Sequence, residues 1–250
     1  KGDKGVRSHC SDDLLWLVWA LCEYAEKTGD YAICDISLPF MVSPPLEKDG
    51  RDRYETPAVS AHTSAVTEHA RTALEMSMSR GFGPHGLPRM GSGDWNDAFN
   101  AVEGESVWLG WFMAHCAKRF AALLKRLGDK GAKRYENLAR RLAADTDKAW
   151  AGRWYCRAYF ADGEALGGAA RIDSVAQSWA VLSGTVDSGN RPQVAIDSSL
   201  RSLVDHRHKI VRLFDPPYSA DERYAGYIAS YGEGFRENGG QYTHAALWLV

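Results

Sequence analysis

The chain has almost no excess charge: 30 Lys and Arg stand against 32 Asp and Glu, a formal net charge of −2. That leaves no electrostatic footprint for nucleic acid or an acidic membrane surface. The basic stretch from Lys118 to Arg141 is interleaved with apolar residues, which fits a solvated helix face. Cysteine is also scarce, with five residues (Cys10, Cys22, Cys34, Cys116, Cys156). They are odd in number, scattered and never in Cys-x-x-Cys spacing. This speaks against a disulfide framework or a zinc site and predicts buried thiols in a reducing compartment. No apolar run reaches the roughly eighteen residues a bilayer requires, and no signal-peptide pattern is present. An initiator Met is missing too, and the sequence stops within the apolar run Ala245-Ala246-Leu247-Trp248-Leu249-Val250. These ends are those expected of a fragment of a longer protein.

Aromatic residues are plentiful: nine Trp, eleven Tyr and eight Phe in 250 residues. Sugar-binding clefts stack pyranose rings on aromatic faces, but large helical cores consume the same side chains. The dominant period is helical. Leu14, Leu15, Val18, Trp19 and Cys22 form one face of a first helix, opened by Ser11-Asp12 and closed at Thr28-Gly29-Asp30. Further helices are expected over about 60–79, 105–127, 130–150 and 175–182, the last capped by Asp173-Ser174. Pro192 suits the first turn of another reaching about Asp205, and a final helix should begin near Thr243. Trp154–Phe160 and Lys209–Phe214 are the two short strand candidates. Successive helices joined by polar loops predict an all-α single domain of packed helical hairpins over residues 1–250.

Four segments concentrate polar, aromatic and glycine residues at helix starts, where a rigid scaffold presents functional loops. They are Arg7–Asp13, His85–Asn100, Arg171–Trp179 and Arg236–His244. In Gly91-Ser92-Gly93-Asp94-Trp95-Asn96-Asp97, glycines allow close backbone approach, Trp95 offers a stacking face, and two carboxyls lie three residues apart. Glycoside cleavage needs a carboxylic acid that protonates the leaving oxygen. A helix-capping role for the same residues fits the spacing equally well.

Gly93-Asp94-Trp95-Asn96-Asp97, followed by Gly104-Glu105-Ser106-Val107-Trp108-Leu109-Gly110-Trp111, resembles glycoside hydrolase family 94. That family holds cellobiose, chitobiose and cellodextrin phosphorylases. The similarity is closer to the phosphorylase-like C-terminal domains of cyclic β-1,2-glucan synthetases. Val6–Leu17, Arg171–Gly184 and Arg236–Trp248 match in the same order, so it covers essentially the whole chain. The resemblance implies an (α/α)6 toroid, incomplete here, with an inverting phosphorolytic site in its central cleft. Asp97 would be the general acid. Asp13, Trp95, Gln177 and Glu237 would contact the sugar. Arg7 and His244 would hold inorganic phosphate, the co-substrate that attacks the anomeric carbon and yields α-glucose 1-phosphate.

No cofactor or metal is implied; the partners are a glucan and phosphate, not nucleic acid. A glucan-synthetase parent would place the domain on the cytoplasmic side of a bacterial inner membrane. Phosphate is already an anionic nucleophile, so donors and cations replace the second carboxylate of an inverting hydrolase. Glu237 is the rival base, and an inverting hydrolase or a silent glucan-binding domain are the alternatives. Ala98 and Arg89 depart from the usual family residues on the acceptor side. By the resemblance, a β-sandwich and the first barrel helices precede Lys1, and a phosphate-binding Thr-Gly loop follows Val250.

Overall fold

Leu15, Val18, Leu21, Cys22 and Ala25 all fall on one stripe of a 3.6-residue period, and burying that stripe makes α1 (Asp13–Thr28). Gly29, at φ 74°, adopts the left-handed conformation that ends it, its N–H bonding Ala25 O at 3.0 Å. The chain is described here from a computed structural model covering residues 4–47 and 52–250. The expected side-chain cap at Ser11-Asp12 is not formed. Ser11 instead donates to Gly93 O and Asp12 accepts from the Trp16 indole, so both side chains are spent on tertiary contacts.

Six further helices follow: α2 (Val66–Ser79), α3 (Val107–Arg126), α4 (Ala132–Asp147), α5 (Ser174–Leu182), α6 (Arg191–Leu203) and α7 (Thr243–Leu249). Helix α3 is the centre. Val107, Trp108, Leu109, Trp111, Phe112 and Met113 are all buried, so it is apolar around its circumference, as a helix enclosed by others must be. It packs on α1, α4 and α5, while α1 packs on α2 and α5 on α6 and α7. Phe112 is the hub of an aromatic cluster, with ring centroids 4.5 Å from Trp16, 5.4 Å from Trp108 and 4.9 Å from Trp179. Each such pair adds about 0.5–1.5 kcal/mol beyond the area it buries. All five cysteines are unpaired and buried.

The strands are short and peripheral: β1 (Gly5–Arg7), β2 (Ser37–Val42), β3 (Arg53–Glu55), β4 (Ala58–Ala65), β5 (Glu105–Ser106), β6 (Ala158–Tyr159), β7 (Ala165–Leu166), β8 (Ile172–Asp173), β9 (Val204–Asp205), β10 (Ile210–Val211) and β11 (Phe214–Asp215). All pairings are antiparallel. The fold is thus helix-rich rather than purely helical. The helix expected from Ser60 begins only at Val66, because Ala58–Ala65 pairs with Ser37–Val42 as an outer ribbon. That ribbon is almost wholly exposed, Val59 at 67% and Met41 at 55%.

Helices α1, α3, α5 and α7 all point their N-terminal ends at one place, the loop Gly91–Asp97. Asp12 precedes α1 and lies near Asp94; Ser106 caps α3 and donates to Asp94; Asp173 caps α5 and shares Arg157 with Asp94; His244 on α7 meets Trp95.

Candidate active site

The loop is fixed by close backbone approach on one side and a buried ion cluster on the other. Ser11 N–H and Ser11 Oγ both donate to Gly93 O at 3.0 Å. At Gly91 an added Cβ would lie 2.1 Å from His9 O, so only glycine lets the two segments touch. Inside, Arg157 binds Asp94 with both terminal nitrogens, at 2.8 and 2.5 Å, and its Nε lies 3.4 Å from Asp173. Ser106 Oγ donates to Asp94 at 2.6 Å while accepting from Leu109 N–H at 3.0 Å. Asp173 accepts from Val175 N–H at 2.9 Å and Ala176 N–H at 3.2 Å. One guanidinium thereby joins the loop to the capping residue of α5, and the hydroxyl that caps α3 joins the same carboxylate. Asp94 is 0% exposed and Arg157 3%; with both oxygens engaged, the Asp94 carboxylate anchors the loop.

Asp97 lies three residues on and in a different environment. It begins the 3-10 turn Asp97–Phe99, where Asn96 caps by accepting from Ala98 N–H. Its side chain reaches solvent, yet the carboxyl is held above the ordinary aspartate pKa. Lost hydration is the main cause, and the negative charges of Asp13, Asp52 and Asp94 add to it. The Cys10 thiol acts in the opposite sense, donating to Asp97 Oδ1 at 3.7 Å. Asp13 stands beside this pair, accepting from Ser8 Oγ, which in turn takes the Cys10 N–H at 3.1 Å. Gly226, at φ 132°, closes the other flank. A Cβ there would lie 2.3 Å from Ala98 O, and its absence lets Tyr227 sit close enough to feel the Asp97 charge.

Trp95 and His244 meet directly. The Trp95 indole N–H donates to His244 Nε2, with ring centroids 4.7 Å apart. An imidazole nitrogen that accepts is unprotonated, and burial lowers the His244 pKa, so the ring is neutral with its proton on Nδ1. Trp248, one helical turn after His244, lies 5.6 Å from Trp95 and 5.5 Å from Trp179, continuing the core aromatics up to the site. Glu237 is mostly covered, with Arg236 Nε 3.5 Å from its Oε2, which has no hydrogen-bond partner among the described residues. Burial and then the Glu237 carboxylate raise the neighbouring Tyr242 phenol.

Two expectations fare differently. Gln177 does not line a cleft: it is 0% exposed, and its amide is consumed by Tyr155 N–H and O at 2.7 and 2.9 Å and by Asp173 O at 2.9 Å. With both amide donors and its oxygen engaged by backbone, it has a structural duty that a sugar contact would disrupt. Arg7 sits on β1, bonded to Ser43 Oγ at 3.0 Å and 3.8 Å from Glu55. Its described partners therefore belong to the outer strands rather than to His244. The sequence reading also missed Cys10, Arg157, Tyr227 and Trp248. Only Trp248 carried a usable signal, its four-residue spacing from His244 on a helix.

A carboxyl with a raised pKa, on the same loop as an indole that meets an imidazole, invites comparison with known proteins. The sequence profile described as glycosyl hydrolase 94 superfamily, catalytic domain, matches residues 1–250. A cyclic beta-(1,2)-glucan synthase of Rhizobium meliloti is 42% identical over 99% of this chain and 9% of its own length. An N,N'-diacetylchitobiose phosphorylase of Vibrio proteolyticus is 28% identical over 98% of this chain and 29% of its own. A 1,2-beta-oligoglucan phosphorylase of Listeria innocua is 28% identical over 55% of this chain and 12% of its own. The chain thus spans less than a third of each of these relatives, and it belongs to the glycosyl hydrolase 94 superfamily, within whose catalytic domain all 250 residues fall.

Proposed function

We propose that the chain carries the proton-donating part of an inverting glycoside phosphorylase, one that cleaves β-glucosidic bonds, β-1,2-glucan in particular, with inorganic phosphate. The observation that carries this reading is the division of labour between the two motif carboxyls. Asp94 is paired with Arg157, whereas Asp97 meets only a thiol donor among the described residues, and burial and the neighbouring anions favour its protonated form. Asp97 would protonate the glycosidic oxygen as phosphate attacks the anomeric carbon from the opposite face, releasing α-glucose 1-phosphate. Trp95 and Asp13 would hold the sugar on the non-reducing side, and Glu237 would bond its hydroxyls.

His244 would meet phosphate through Nδ1–H, or through Nε2 once the Trp95 contact opens. Arg7 would join it only after leaving Ser43 and Glu55. The glucan synthase and the phosphorylases among its relatives support the substrate class. In this reading the convergent helices α1, α3, α5 and α7 are inner helices of an (α/α)6 toroid completed elsewhere in a longer, cytoplasmic-side glucan synthetase.

The test is incubation of the full-length protein with β-1,2-glucan, with and without phosphate. Phosphate-dependent appearance of α-glucose 1-phosphate is expected. Reducing-sugar release without phosphate, and without that product, would instead support the inverting hydrolase. Glu237, whose Oε2 makes no hydrogen bond among the described residues and only a 3.5 Å ion pair with Arg236, would be the base for that second reading.

A further inference from the structure

We propose that Cys10 is a positioning residue for Asp97: its thiol donates to Oδ1 and leaves Oδ2 as the oxygen that carries the proton to the leaving group. This rests on the reading of Asp97 as the general acid. The contact is Sγ to Oδ1 at 3.7 Å, between residues 87 apart in sequence. Cys10 is 8% exposed, and its thiol is pushed up to about 12, chiefly by burial, with Asp97, Asp13 and Asp12 adding to the effect. It therefore stays a neutral S–H, and an S–H beside a carboxylate donates.

Its backbone is pinned on both sides. The Cys10 N–H binds Ser8 Oγ, the Cys10 carbonyl receives the Arg80 guanidinium, and the next residue is tied to Gly93. Asp97 is pinned in turn by the Asn96 turn and by the Gly226 contact. The sulfur and the carboxyl are thus held against each other by two independent stretches of chain.

The groups facing Asp97 are Asp13 at the start of α1, Asp94 on the same loop, Asp52, and Tyr227 on the turn after Gly226. The three carboxylates push its pKa up, and the thiol, bonding the ionised form, pulls it down. Cys10 thereby sets how far the acid's pKa rises as well as which oxygen is free.

In the full-length protein, Cys10→Ala should move the alkaline limb of the kcat/KM profile upward by about half a pH unit. Cys10→Ser, which keeps a donor, should leave the limb at or below its wild-type position. A thiol that merely fills space would lower the rate equally at every pH and leave the limb in place in both variants, and that result overturns the proposal. Infrared spectroscopy gives a readout independent of turnover. The S–H stretch, taken as wild type minus Cys10→Ala, should move to lower frequency as Asp97 ionises and lose its pH dependence in Asp97→Asn. A band that does not titrate in the wild type also overturns it. If no variant makes glucose 1-phosphate, the phosphorylase reading falls, while the infrared titration still decides the bond.

Discussion

Two groups of carboxylates lie on either side of the loop 93–97, and they differ in one respect. Behind it, Asp94 and Asp173 share the guanidinium of Arg157 and are almost completely buried. In front, Asp97 and Asp13 face solvent with Ser8 and Cys10 as hydrogen-bonding neighbours. Where a cation sits among the carboxylates, the charges become structure. Where only neutral donors do, charge repulsion and lost hydration are left to hold a proton. Three residues thus separate an anchored carboxylate from the proposed acid.

Removing the cation should give the largest effect. Arg157→Met leaves two buried carboxylates unpaired and should cost about 3–5 kcal/mol in denaturant unfolding. An unchanged midpoint would show that the cluster does not hold the loop. Asp97→Asn should lower glucose 1-phosphate formation by about 10²- to 10⁴-fold while leaving the unfolding midpoint alone. Equal loss of stability would erase the distinction between the two sides.

Asp12, buried between the groups, has its pKa raised from 3.8 to about 7, mainly by burial. The folded state then binds a proton that the unfolded state has released. This contribution to stability is complete below pH ~4 and is lost as pH rises through ~7, an amount on the order of 4 kcal/mol. Asp12→Asn should flatten that dependence, read as unfolding free energy at several pH values. Gln177→Ala should give the smallest effect, about 1–3 kcal/mol from stranding backbone groups, with KM for glucan unchanged once the folded fraction is known. A raised KM at full stability would return Gln177 to the sugar pocket.

The helices were largely legible because their apolar periods are strong: α3 through α6 begin and end within a few residues of where the sequence places them, and α7 begins at Thr243 as expected. The outer ribbon was not, since its exposed strands bury no face and show no alternation. At the site, the family motif singled out Asp97, but spacing could not separate it from Asp94. What separates them is Arg157, 63 residues downstream of Asp94. Gln177 misled for a related reason. A polar residue at a helix start looks equally available to ligand and to backbone, and only the Tyr155 and Asp173 contacts decide.

The bond from Ser11 to the Gly93 carbonyl spans 82 residues, and it has a kinetic meaning. The helices are built from local contacts, but Asp97 acquires its surroundings only after the long loops that bring Cys10 to Asp97 and Ser11 to Gly93 have closed. During refolding, helical signal should therefore return ahead of the Cys10–Asp97 contact, and a chain with every helix in place would still lack the candidate site.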